Sequence, residues 1–224
     1  MTPEGFWKFI LSLSVAFPAI AGLIRFRKIE AAYRPFIIYL TISLVNELLM
    51  GLWIIPKSRK AEALDWTLFN LFEAVILLVQ FYYWKRFDRY KKIFPGLLIM
   101  VACGWLLENF IAHNIYHFSP IFLICYSFIL VLLSVQTINY IIVNESRMPL
   151  TKNAMFIICV AMIVFFVYDI FVWTLAANGI HLAVYDIYRI VNTLVNLLYG
   201  IGVCFIPKKI SGKDLFRDLY KKES

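Results

Sequence analysis

Seven long apolar runs, separated by short polar connectors, restrict this chain to a membrane-embedded helical fold. A helix of about 20 apolar residues crosses the ~30 Å hydrocarbon core of a bilayer. The predicted spans cover roughly residues 6–24, 35–55, 66–84, 94–112, 121–143, 154–175 and 184–206. The composition agrees, since 62% of the residues are hydrophobic and 16% are charged. The sequence therefore predicts an all-α, polytopic seven-transmembrane-helix bundle over residues 1–207.

The distribution of Lys and Arg predicts the orientation of this bundle. Most of the 22 basic residues fall on one side: Arg25, Arg27, Lys28, Arg34, Lys85, Arg86, Arg89, Lys91, Lys92, Arg147, Lys152, Lys208, Lys209, Lys213, Arg217, Lys221 and Lys222. Cytoplasmic loops are enriched in these residues. We therefore expect an outside N-terminus and a cytoplasmic C-terminus in a bacterial cytoplasmic membrane, with no nucleic-acid partner. Cleavage of a signal peptide near Ala21 is the alternative, and it would invert every later loop.

The end of the chain has a different pattern from the spans. Residues 208–224 combine basic side chains with an apolar stripe that includes Leu215 and Leu219. Such a segment is typical of a helix lying on an anionic membrane surface. We expect a basic amphipathic cytoplasmic tail, with a solvated tail as the alternative.

Five acidic residues lie inside the predicted spans, where an ionised group costs at least ~2.5–3.5 kcal/mol near the bilayer centre. They are Glu47, Glu73, Glu108, Asp169 and Asp186. A rise of about 1.5 Å per residue puts all of them on the outer side of the midplane. Five acids accompany a single basic residue, Arg189, so we expect protonation of some acids or neutralisation by a cationic ligand.

Helical spacing places these acids on faces shared with other polar residues. Residues three or four apart lie on one helix face, as do Asn70 and Glu73, or Asp186 and Arg189. We predict an outward-facing ligand-binding pocket formed by Asn46, Glu47, Asn70, Glu73, Glu108, Asn109, Tyr168, Asp169, Asp186, Arg189 and Asn192. The alternative is that the asparagines, with Asn196, only join helices through hydrogen bonds.

A weak internal repeat relates the two halves of the chain. Asn46-Glu47 corresponds to Tyr168-Asp169, and Asn70 follows Glu47 at the same spacing as Asn192 follows Asp169. This correspondence predicts a three-one-three arrangement in which the fourth helix joins two similar units.

Metal, cofactor and catalytic motifs are weak. His113 and His117 are four apart, and His181 also lies on the predicted outer side, so a zinc site is one interpretation. The absence of an HExxH pattern favours ordinary interfacial histidines and no metal site. The seventh span contains no lysine for a retinal Schiff base, and no cofactor is expected.

The segments Asn70-Leu71-Phe72-Glu73 and Asn192-Thr193-Leu194-Val195-Asn196 resemble bacterial seven-helix integral membrane proteins whose function is not established. The layout also resembles PQ-loop and rhodopsin-like bundles in helix count and orientation, without the Pro-Gln pair or the retinal lysine. The resemblance implies a fold and no activity.

These patterns favour a binding protein over an enzyme. The first hypothesis is a receptor or sensor for a small polar or cationic ligand that signals through a cytoplasmic partner. The second is a transporter of such a solute, for which Gln136 and Asn139 should continue a polar path inward. The third is an intramembrane hydrolase with paired carboxylates.

Overall fold

The fold is all-α, as predicted. The structure, a computed structural model, describes residues 11, 13–50, 58–88, 91–112, 115, 120–144, 149–178 and 184–209, and these contain no strand. The helices are α1 (Ala16–Arg25), α2 (Arg34–Leu49), α3 (Arg59–Tyr83), α4 (Ile93–Leu106), α5 (Ile121–Asn144), α6 (Ala154–Ala177) and α7 (Val184–Phe205).

Five helices in the described part of the chain are long and apolar enough to cross a membrane, namely α3, α5, α6, α7 and α4 together with the π-helical turn that continues it to Ala112. The described parts of α1 and α2 are shorter, and the predicted spans 6–24 and 35–55 extend into residues outside the description. The predicted tail from residue 210 onward, and His113, His117 and His181, also lie outside the described residues.

Prolines mark the helix ends, where a missing backbone N–H is tolerated. Pro35 lies in the first turn of α2, Pro120 directly precedes α5, and Pro207 follows α7. Pro18 lies in the first turn of α1, after a 3-10 turn over Leu13–Val15. The first predicted span, 6–24, thus changes from a 3-10 turn to an α-helix just before Pro18.

Helix packing forms a closed ring with one helix outside it. The ring runs in the order α1, α2, α3, α5, α6 and α7, and α7 packs against α1 to close it. Helix α4 packs against α3 and makes few contacts with α5. Its most apolar stretch is 22% buried, against 33–44% for the other four long helices. Side chains on α4 are thus displaced from the centre of the bundle.

Two side chains, Gln80 and Arg25, form hydrogen bonds with backbone groups at the ends of helices far from them in the sequence. Gln80 on α3 accepts a hydrogen bond from the Phe36 N–H at 2.8 Å and donates to the Ala32 carbonyl at 2.7 Å. Arg25 donates to the Val203 and Ile206 carbonyls at the end of α7. A cation at a helix C-terminus is favoured by the exposed carbonyls there.

Candidate functional site

A polar cavity of about 130 Å³ lies inside the helix ring. We call it the Glu73 cavity. Its lining comes from the turn before α1 and from α2, α3, α5, α6 and α7: Val15, Tyr39, Ser43, Asn46, Glu47, Trp66, Phe69, Asn70, Glu73, Leu123, Phe165, Asp169, Tyr188, Asn192 and Asn196. Most of the lining residues lie in the C-terminal halves of α2 and α6 and the N-terminal halves of α3 and α7, because neighbouring helices run in opposite directions. Tyr39, Glu73, Phe165 and Asn196 lie just across the midpoints of their helices.

Glu73 is the first of two buried acids that line this cavity. It is buried, and its two carboxylate oxygens accept hydrogen bonds from two phenols. The Tyr39 hydroxyl donates to Oε1 and the Tyr126 hydroxyl donates to Oε2, each at 2.6 Å. Since a carboxylate offers about four lone-pair positions, this arrangement orients Glu73 and leaves acceptor capacity.

Asp169 is the second buried acid of the cavity. Its Oδ1 accepts a hydrogen bond from the Trp173 indole N–H, one turn along α6, at 2.9 Å. Trp173 in turn contacts the ring of Trp66 edge-on, with 4.8 Å between ring centroids. The aromatic contact joins α6 to α3 beside the carboxylate.

Asparagines extend the polar lining. Asn196 donates to Ser14 Oγ at 2.9 Å and to Asn192 Oδ1 at 3.3 Å, which joins α7 to the segment before α1. Asn46, with its amide oriented by hydrogen-bond complementarity, donates to the Asp65 carboxylate at 3.1 and 3.2 Å. Asn70 is buried, and its amide makes no hydrogen bond to another described residue.

The charge of the described lining is one-sided. Glu47, Glu73 and Asp169 face the cavity, and no Lys, Arg or His is among its described lining residues. The hydrogen-bond donors to Glu73 and Asp169 are the phenols of Tyr39 and Tyr126 and the indole of Trp173, which are neutral. When Glu73 and Asp169 are ionised, hydrogen bonds from neutral donors satisfy the oxygens but leave the buried negative charges uncompensated. Either protonation of an acid or a bound cation removes that charge.

The structure brings many of the predicted site residues together at this cavity. These are Asn46, Glu47, Asn70, Glu73, Asp169 and Asn192. Tyr168 does not line the cavity, but its ring stacks on that of Tyr188, which does, with 6.2 Å between ring centroids. Arg189 is half-buried on α7 and does not line the cavity. Asp186 is in the first turn of α7, where the structure describes only the backbone.

Glu108 and Asn109 lie elsewhere because α4 is outside the ring. A π-helical turn over Leu107–Ala112 carries both residues. Glu108 accepts hydrogen bonds from the Ile121 and Phe122 N–H groups at 3.0 and 2.5 Å, so it caps the N-terminus of α5. Asn109 donates to the Trp105 carbonyl at 2.9 Å within its own helix.

Tyr39, Tyr126 and Asp65 were not among the predicted site residues. Tyr39, Ser43 and Glu47 follow one another at intervals of four, so extending the face of Glu47 by two turns would have found Tyr39. Asp65 precedes Phe69 and Glu73 at the same interval, but it lay just before the predicted span 66–84. No local pattern distinguishes Tyr126 from the other tyrosines.

A metal centre does not form among the described residues, in which no three His, Cys, Asp or Glu side chains are grouped closely enough to hold an ion. The three acids of the Glu73 cavity are thus spread around its wall. This spacing suits a ligand that contacts them separately.

Gln136 and Asn139 line a second, larger cleft of about 840 Å³ at the other end of the bundle. We call it the Arg86 cleft; its lining is Glu30, Ala32, Tyr33, Tyr83, Trp84, Lys85, Arg86, Asp88, Gln136, Asn139, Tyr140, Val143, Asn144 and Met155. On α5, Leu123 lines the Glu73 cavity and Asn139 lines the Arg86 cleft. These residues are 16 apart, so the two sites are separated by about 24 Å along the helix. Fully buried Leu77, Phe81 and Leu130 pack between these levels.

Comparison with known proteins finds no matching family model, no similar curated protein and no similar solved structure.

Proposed function

We propose that this chain is a seven-span membrane protein whose Glu73 cavity opens outward and binds a small cationic ligand. In this proposal the N-terminus is outside, the C-terminus is cytoplasmic, and the protein acts as a receptor or sensor. The basic connectors support this orientation through the positive-inside rule.

The observation that carries the proposal is the pair of buried carboxylates hydrogen-bonded by neutral donors. Burial of an unpaired charge costs several kcal/mol per ion. A ligand that brings a positive charge between Glu73 and Asp169 removes this penalty and can also bond the free amide of Asn70. Binding energy is therefore largest for a cation with hydrogen-bonding groups.

The cavity volume limits the size of that cation. Drug-sized ligands occupy pockets of about 300–1,000 Å³, whereas the Glu73 cavity measures about 130 Å³. A short amine or a guanidinium-sized ion fits, with room for little more.

Thermal stabilisation of the purified chain tests binding. Methylammonium, ethanolamine and guanidinium chlorides serve as probes, with sodium chloride at matched ionic strength as the control. We expect at least one organic cation to raise the melting temperature of the wild-type protein and to lose this effect in Asp169→Asn. A response identical to that of sodium chloride for every probe would reject the site.

Transport of the cation is the second candidate function, and the Arg86 cleft is the observation that favours it. Gln136 and Asn139 line this cleft at the far end of the bundle, as an inward continuation of the path requires. The packed Leu77, Phe81 and Leu130 lie between the two sites, so transport requires this layer to rearrange. Uptake of the stabilising cation into proteoliposomes would favour a transporter, and saturable binding without uptake would favour a receptor.

Reporter fusions test the topology. Alkaline phosphatase fused after Asn178 should be active, because the connector after α6 is outside in this proposal. A fusion after Lys91 should be inactive, because the connector after α3 is cytoplasmic. The reverse pattern would invert the orientation.

A further inference from the structure

We propose that the Arg86 cleft is a second binding site, which holds the phosphodiester headgroup of a membrane phospholipid. The proposal does not depend on the ligand of the Glu73 cavity or on which side of the membrane is cytoplasmic. It concerns the opposite end of the bundle, where α3 ends and α5 approaches its own C-terminus.

The position of Arg86 is set by the turn that ends α3. Lys85 has a left-handed backbone with φ of 60°, an uncommon conformation for a residue with a side chain. The Arg86 N–H then bonds back to the Phe81 carbonyl at 3.2 Å. This reversal returns Arg86 toward α5 and ends the helix at the edge of the cleft.

The guanidinium of Arg86 is held from two directions. Its Nε donates to the Trp84 carbonyl at 2.9 Å, and its central carbon lies 3.7 Å from the centroid of the Tyr140 ring. The terminal nitrogens make no hydrogen bond or ion pair with any described residue. Since these nitrogens form a planar fork that matches phosphate oxygens, a fixed donor pair is available at the cleft.

Trp84 supplies an independent second donor. Its side chain is 3% exposed and lines the cleft, and its indole N–H has no hydrogen-bond partner among the described residues. Buried polar groups are nearly always paired, and an indole N–H can only donate. A ligand oxygen would pair this group once the wall of the cleft shifts to admit it, because the indole nitrogen itself is closed to solvent.

The remaining lining selects the kind of anion. Lys85 and Arg86 are accompanied by Glu30 and Asp88, so the charges of the lining balance and a polyanion is disfavoured. A single phosphate can still pair with the guanidinium of Arg86. Val143 lines the cleft and is 70% exposed, and Tyr140 is 43% exposed. The exposed Tyr140 and Val143 beside the basic Arg86 suit a phospholipid. Its phosphate would contact Arg86 and its acyl chain would lie along α5.

Lipid titration of the full chain in detergent micelles tests this inference. The probes are phosphatidylglycerol, diacylglycerol, which lacks the phosphate, and glycerol 3-phosphate, which lacks the acyl chains. We expect phosphatidylglycerol alone to raise the melting temperature. Stabilisation by glycerol 3-phosphate with the same dependence on Arg86 would assign the cleft to a soluble phosphate ester and overturn the lipid assignment.

Three variants locate the effect. Arg86→Gln should weaken phosphatidylglycerol binding about 10–100-fold, because a charge-assisted hydrogen-bond pair is lost. Trp84→Phe keeps an aromatic ring but removes the indole N–H together with part of the ring system, and it should weaken binding about 3–10-fold. Lys92→Gln removes the same charge from an exposed position of the same connector and should behave like the wild type. Equal losses in Lys92→Gln and Arg86→Gln, or wild-type binding by Trp84→Phe and Arg86→Gln, would overturn the site.

Discussion

The Tyr126 hydroxyl donates a 2.6 Å hydrogen bond to Glu73 Oε2, and this contact joins α5 to α3 inside the helix ring. Tyr39 holds the other oxygen from α2 at the same distance. Three helices therefore meet at one carboxylate. The same bonds that stabilise the bundle also orient the acid for a ligand.

The contact between Tyr126 and Glu73 should be measurable as a coupling energy. Tyr126→Phe should lower the free energy of unfolding by about 1–3 kcal/mol, because a buried hydrogen bond to a charged acceptor is lost. In the Glu73→Gln background the same change should cost less. Denaturation in mixed micelles measures both, with Tyr82→Phe as an exposed control. Equal costs in the two backgrounds would show that the residues do not interact.

Glu108 should affect stability without affecting ligand binding. Glu108→Gln removes a charged acceptor from the N-terminus of α5, which should cost about 0.5–2 kcal/mol. The thermal shift caused by the organic cation should stay unchanged, because Glu108 lies in the π-helical turn that continues the peripheral α4. Loss of that shift without unfolding would place Glu108 in the site.

Gly200 should tolerate no side chain. A Cβ at this position would meet the ring of Phe17, where α7 packs against α1. Gly200→Ala should therefore cost about 1–3 kcal/mol through overpacking. Gly96→Ala is the matched control, since a Cβ at Gly96 has nothing within 4 Å, and it should be neutral or stabilising. Similar melting temperatures for the two variants would contradict the close approach of α1 and α7.

Gln80 should stabilise the start of α2. Gln80→Leu keeps most of the volume but leaves the Phe36 N–H and the Ala32 carbonyl without their partner, which should cost about 1–3 kcal/mol. Gln136→Leu makes the same chemical change at an exposed position. Its thermal melting curve should match that of the wild type, and an equal loss in both variants would contradict the capping role.

The sequence predicts the helical class well, because hydrophobic length and proline placement are local properties. The last five predicted spans correspond closely to helices α3 to α7. Pro35, Pro120 and Pro207 lie at helix ends, as expected. Helix order in the ring is not local. Hydropathy does not indicate that α4 lies outside, so Glu108 could not be distinguished from Glu73 by its depth alone.

The partners of the buried groups were also beyond sequence reasoning. Gln80 bonds to backbone groups 44 and 48 residues earlier, and Tyr126 reaches a carboxylate 53 residues away. Such pairs depend on which helices become neighbours. A polar residue in an apolar run signals that a partner exists, but the identity of the partner follows from the packing.

The most direct test of the central claim is the cation-induced thermal shift of the Glu73→Gln variant. The probe is the cation that most stabilises the wild type, and Glu62→Gln is the control, because Glu62 is exposed on the same helix. We predict that Glu73→Gln remains folded without ligand, because its amide oxygen still accepts one of the two phenol hydrogen bonds. The same variant should lose the cation-induced shift, while Glu62→Gln keeps it. A full cation response in Glu73→Gln would contradict a ligand site at the Glu73 cavity.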